Sequence, residues 1–130
     1  MTGLDTGFFI KLLEGHTEAV RVWKDLMKGG ESVVSCLTLF ELWRLANRGA
    51  VDREAIEKLA EGITGMCDVT WIDEPGILRR GSALSHGLGI PAMDALILSG
   101  LLSRGATAIY TTDAHMRRYR GDGVSVVVLR

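Results

Sequence analysis

A chain of 130 residues, 47% hydrophobic and 24% charged, can fill one core but not two, and is too apolar to remain disordered. A formal net charge of -1 excludes a protein that captures nucleic acid by overall positive charge. No apolar run can span a bilayer and no signal peptide opens the chain, so a cytoplasmic protein with no membrane association is expected.

The predicted elements alternate between strand and helix. Residues 1–5 form a short strand and residues 8–13 a turn or two of helix. Over 17–28, Ala19, Val20, Trp23, Leu26 and Met27 recur at helical spacing until Gly29-Gly30 stops them. Residues 32–36 are the second strand. Thr38 caps a helix over 39–47, with Glu41 as its capping-box partner, and Gly49 ends it. Asp52 caps a helix over 53–62, and residues 69–72 are a third strand. Asp73 caps a helix with Pro75 in its first turn, which runs to His86 and is broken by Gly87 and Gly89. Pro91 opens an almost wholly apolar helix over 92–103, ended by Gly105. Residues 108–111 are a fourth strand, 114–119 a short helix and 124–129 a fifth strand. In that last strand Val126-Val127-Val128-Leu129 lacks alternation, as suits a strand covered on both faces. Strands separated by helices imply βαβ units. The expected fold is one three-layer α/β/α domain over residues 1–130, with a mostly parallel central sheet of about five strands.

Cys36 and Cys67 have no metal or redox spacing and are read as buried, unpaired small apolar residues. Trp23, Trp43 and Trp71 occupy core-compatible positions.

Four acids stand where apolar segments end or begin: Asp5, Glu41, Asp94 and Asp113. In a parallel α/β sheet the carboxyl ends of the strands open on one edge, where ligands bind. Carboxylates gathered there repel one another unless a cation lies between them, and a hard divalent ion is the natural counter-charge. The pattern points to a metal-dependent phosphodiesterase. Each acid also has an ordinary use. Asp5 and Asp113 can cap the helices that follow them, and Glu41 can complete the box with Thr38. Glu41, however, lies among Leu39, Phe40, Leu42 and Trp43, where an unpaired carboxylate is costly. Asp94 falls near the positive end of a central helix.

Leu4-Asp5-Thr6, Thr38 through Glu41-Leu42, Pro91 through Asp94 to Ile97, and Thr111-Thr112-Asp113 occur in that order. Together they resemble the four motifs of the PIN domain, a small metal-dependent ribonuclease fold, over essentially the whole chain. The size is most similar to the VapC-type toxins of toxin–antitoxin pairs. The resemblance implies that Asp5, Glu41, Asp94 and Asp113 are catalytic and hold Mg²⁺ (or Mn²⁺), with Thr6 and Thr111 hydrogen-bonding beside them. It implies an RNA substrate, an antitoxin partner and a homodimer. Trp23, Leu26 and Met27 could then belong to a groove for an antitoxin helix instead of the core. Many relatives carry another acid two residues after the fourth-motif aspartate; here that residue is His115, read as structural, and a second metal position is in doubt.

From Pro75 onward Arg79, Arg80, Arg104, Arg117, Arg118, Arg120 and Arg130 face only Asp94, Asp113 and Asp122. Arg79, Arg80, Arg117, Arg118 and Arg120 are possible RNA contacts, although such pairs are commonly a solvated face. Tyr119 could stack on a base or pack on the sheet. His86 suits a helix C-terminus. A receiver domain would need an acid pair after the first strand and a late lysine, and none follows Lys58. A dinucleotide-binding module would need a glycine-rich first turn, which Asp5-Thr6-Gly7 lacks. An RNA-processing nuclease and a catalytically silent RNA-binding protein are the remaining alternatives.

Overall fold

Short apolar strands that must pair in parallel need helical crossovers between them, and the chain supplies one after nearly every strand. The computed structural model describes residues 1–130. The strands β1 (Thr2–Leu4), β2 (Ser32–Ser35), β3 (Asp68–Thr70), β4 (Ala108–Thr111) and β5 (Ser125–Val128) form one sheet in the order β3-β2-β1-β4-β5. Every pairing is parallel. Helices α1 (Thr6–Leu13), α2 (Thr17–Met27), α3 (Cys36–Asn47), α4 (Arg53–Met66), α5 (Pro75–Leu88) and α6 (Ala92–Ser103) cover it, and a 3₁₀ turn spans Ala114–Arg118.

Alternation along the strands divides the core in two. Leu4 and Val34 point to one side, where they meet Phe8, Phe9, Leu42, Ile56 and Ile63 of α1, α3 and α4. Val33 and Ile109 point to the other, against Ile97, Leu98 and Leu101 of α6. The architecture is therefore the expected α/β/α, with α6 buried along most of its length. Strand order reverses direction between β1 and β4, so the carboxyl ends of those two strands lie side by side at the crevice where such sheets bind ligands.

Several boundaries differ from the sequence reading. Helix α3 begins at Cys36, not Leu39, and Ser35 caps it by accepting the Leu37 N–H at 3.1 Å. Thr38 is buried in its first turn, so there is no capping box with Glu41. Helix α4 continues through Gly62 to Met66, because Ile63 is buried and packing outweighs the weak propensity of glycine. Strand β3 ends at Thr70, which leaves Trp71 58% exposed; Trp43 is 40% exposed, and only Trp23 packs inward, edge-on to Phe9. Glu74, not Asp73, precedes α5, and it makes no side-chain cap. That helix runs through Gly87 to the left-handed Gly89. The fifth strand lies at the sheet's edge and is half-buried, so its unalternating valines do not mark burial on both faces. Cys36 and Cys67 are free thiols, half-buried and not fully so. No helix is long and apolar enough to cross a membrane.

Candidate active site

Asp5 ends β1 and begins α1, and its carboxylate serves both elements. Oδ1 accepts the Phe8 N–H at 3.0 Å, which caps α1, while Oδ2 accepts the Thr111 hydroxyl from the end of β4. Capping and site membership are thus compatible uses of one side chain. The Asp5 amide also donates to the Tyr110 carbonyl at 3.2 Å, which ties the two strand ends together. Gly7 permits this closeness: a Cβ there would lie 2.0 Å from Thr112 Oγ1.

Thr111 joins a second acid to the first. While its proton goes to Asp5, its oxygen accepts the Asp113 N–H at 2.9 Å. Asp113 caps the 3₁₀ turn by accepting the His115 N–H at 2.9 Å on Oδ1, and the same oxygen meets the His115 ring Nδ1 at 2.7 Å. Asp113 Oδ2 is buried and meets no amide, ring or hydroxyl donor. Asp94 stands in the first turn of α6, and its carboxyl faces that of Asp113.

Glu41 approaches from α3. It is half-buried and accepts the Thr6 hydroxyl. Thr6 Oγ1 also lies 3.1 Å from Thr38 Oγ1. Because the one Thr6 proton points to the carboxylate, Thr38 is the donor in that pair. Thr6 and Thr111 are thus both hydrogen-bonded to acids. Thr38, which the sequence offered only as a cap, is a third member.

The four acids act on one another. Burial raises Asp5 to about 6, with the Thr111 and Phe8 hydrogen bonds opposing and the Asp113 and Glu41 charges adding. Burial also raises Asp94, to about 7, helped by its hydrogen bond and repulsion with Asp113 and by the charges of Asp5 and Glu41. Burial pushes Asp113 up too, but hydrogen bonds from the His115 amide and ring and from Asp94 outweigh it and leave Asp113 below the usual carboxylate range. One proton between Asp94 and Asp113 relieves like charges brought together.

No three His, Cys, Asp or Glu side chains in the chain are arranged to enclose an ion by themselves. The donor set nevertheless suits a hard cation that keeps its waters. Mg²⁺ is commonly held by one or two carboxylates and water, and here an orphaned carboxylate oxygen stands in the field of further acids.

The surroundings supply positive charge that the sequence reading overlooked. A small cleft of about 170 Å³ is lined by Thr6, Glu41, Arg44 and Arg48, among others. Neither arginine has a carboxylate within ion-pair distance elsewhere in the chain. Their spacing from Glu41, three and seven residues along α3, was the available signal. Among the five arginines singled out earlier, Arg118 uses Nη1 to bind the Leu88 and Gly89 carbonyls at 3.0 and 3.2 Å. Arg80 donates to the Tyr119 hydroxyl at 3.2 Å. Arg79, Arg117 and Arg120 are exposed. A larger cleft of about 480 Å³ between α5 and α6 contains none of the four acids.

Comparison with known proteins identifies the family and the fold. The PIN domain model matches residues 4–122. Among solved structures, a toxin–antitoxin complex from Klebsiella pneumoniae aligns with a TM-score of 0.72 at 20% identity, covering 98% of this chain and 97% of that one. VapBC2 from Rickettsia felis, bound to a DNA fragment from its promoter, aligns with a TM-score of 0.75 at 15% identity, with coverage of 98% and 97%. DNA-bound VapBC from Salmonella typhimurium gives 0.73 at 20% identity, with coverage of 98% and 96%. No curated protein sequence matches the chain. At these identities the structural likenesses establish the fold. The family model, which spans nearly the whole chain and all four acids, establishes more: the protein is a member of the PIN domain family.

Proposed function

We propose that this protein is a metal-dependent ribonuclease that hydrolyses RNA phosphodiester bonds, and that it is the toxin of a toxin–antitoxin pair. The observation that carries the chemistry is the mutual perturbation of Asp5, Asp94 and Asp113 at the sheet's carboxyl edge, with one Asp113 oxygen buried away from any amide, ring or hydroxyl donor. Support for the biological role is the likeness to toxin–antitoxin complexes along almost the entire chain.

Asp5, Glu41, Asp94 and Asp113 would hold Mg²⁺ or Mn²⁺, one or two of them directly and the others through its waters. The ion would activate a water and neutralise charge developing on the phosphoryl oxygens. The remaining work falls to the chain itself. Thr111 fixes the Asp5 carboxylate and Thr6 fixes that of Glu41, so neither acid must reorient as substrate arrives. Arg44 and Arg48, beside Glu41, would draw the phosphates next to the scissile one into the cleft and offset the repulsion between RNA and acids. Arg79, Arg117 and Arg120 would hold more distant phosphates. An antitoxin protein and a second copy of the chain are the partners this reading implies.

The test is cleavage of a defined RNA by protein freed of contaminating nuclease. Activity disappears in EDTA and returns with Mn²⁺ or Mg²⁺, and Asp94→Asn stays inactive in either metal. Undiminished cutting in EDTA eliminates the proposal.

A further inference from the structure

Asp113 uses its two oxygens differently. Oδ1 accepts two hydrogen bonds from a single residue, the His115 amide at 2.9 Å and the His115 ring Nδ1 at 2.7 Å. Oδ2 is buried and meets no amide, ring or hydroxyl donor; the only other hydrogen bond to this carboxylate is the proton it shares with Asp94. A carboxylate oxygen removed from water without a donor is unstable unless a proton or a cation meets it. His115 donates through Nδ1 when that nitrogen carries the hydrogen, as in one neutral tautomer or in the imidazolium. Its other nitrogen then lies on the far side of the ring, and the side chain is about half exposed (48%). The ring therefore bears on Asp113 from the surface, without filling the site.

We propose that His115 is a positioning residue for the cation site. Its ring N–H occupies Oδ1, fixes the rotation of the Asp113 carboxylate and leaves Oδ2 for a divalent ion, which would displace the proton shared with Asp94. The inference rests on the metal-dependent reading above. An acid at this position would add a ligand and further repulsion. An imidazole adds no negative charge and orients the carboxylate already present, as hydrogen-bond partners of metal ligands commonly do.

Calorimetric titration of Mn²⁺ into the wild type, His115→Ala and His115→Asn tests this, each normalised to the folded fraction read from a circular-dichroism melt. Asparagine presents a side-chain N–H near the place of Nδ1. His115→Ala is expected to bind Mn²⁺ about tenfold more weakly, and His115→Asn to stay within about threefold of wild type. Equal affinity of His115→Ala and wild type overturns the proposal while the metal site stands. Asparagine as weak as alanine also overturns it, since that pattern belongs to a directly bound imidazole. A wild-type protein that takes up no Mn²⁺ removes the metal-dependent reading, and this inference with it.

Discussion

Thr111 connects two acids that are distant in sequence. Its hydroxyl donates to Asp5 Oδ2 and accepts the Asp113 N–H at 2.9 Å, and the residue is fully buried. Valine has the same shape and neither function, so Thr111→Val leaves a buried carboxylate oxygen and an amide without partners. We expect it to lower unfolding free energy by about 1–3 kcal/mol in urea titrations. It should also raise the Asp5 pKa further, because a hydrogen bond that favours the charged form is lost. Unchanged stability would show that Thr111 is not the link described. Asp5 illustrates why residue types alone were ambiguous: the cap and the site acid are the same side chain, one oxygen for each.

Close approach of α1 to the end of β4 is what gathers the acids, and it depends on Gly7. A methyl group there would lie 2.0 Å from Thr112 Oγ1 and 2.9 Å from its Cβ, so rotating the threonine cannot relieve the clash. Gly7→Ala should cost about 1–3 kcal/mol by urea melt, as overpacking does. Gly62, inside α4, is the contrast: a Cβ there meets nothing within 4 Å, and Gly62→Ala should stabilise by about 1 kcal/mol. Equal effects of the two substitutions would show that Gly7 does not lie against Thr112 as described. The same element scale explains the misplaced start of α3. Ser35 and Thr38 are both acceptable caps in a sequence. The helix takes the earlier one because Leu39 and Leu42 must face the core and Thr38 then meets Thr6.

Across the whole molecule, burying like charges at one edge sets a pH dependence. Asp5 and Asp94 have folded pKa values of about 6 and about 7, against 3.8 for the free side chain. Between pH 4 and pH 7 the folded state therefore binds more protons than the unfolded chain, so their contribution to stability is full below pH 4 and is lost as pH rises through that window. Asp113, lowered by its partners, acts in the opposite sense at lower pH. For Asp5 alone the loss is on the order of 3 kcal/mol. Without metal, the melting temperature should fall as pH is raised from about 5 to 8. Mn²⁺ should restore it at pH 8, where the carboxylates are free to bind, and have little effect at pH 5. A metal-free melting temperature that climbs over this range would contradict the assignment of the raised pKa values.

The layered α/β/α arrangement was readable from the chain, because helical and strand periodicities alternate and α6 is apolar almost throughout. The positions of four acids, each where an apolar segment meets a turn, were readable too; that they form a metal site is the proposal above. Local pattern could not supply the neighbours of those acids. Thr38 looked like a cap until Thr6 came within 3.1 Å, and the contact of the His115 ring with Asp113 was not visible at all. Nor could it separate Trp23, which packs on Phe9, from Trp43 and Trp71, which face solvent. Side-chain character and spacing act within a few residues, and these the chain carries openly. Which oxygen faces which proton depends on segments far apart in the chain, 106 positions for Thr111 and Asp5, and only strand order and register bring those together.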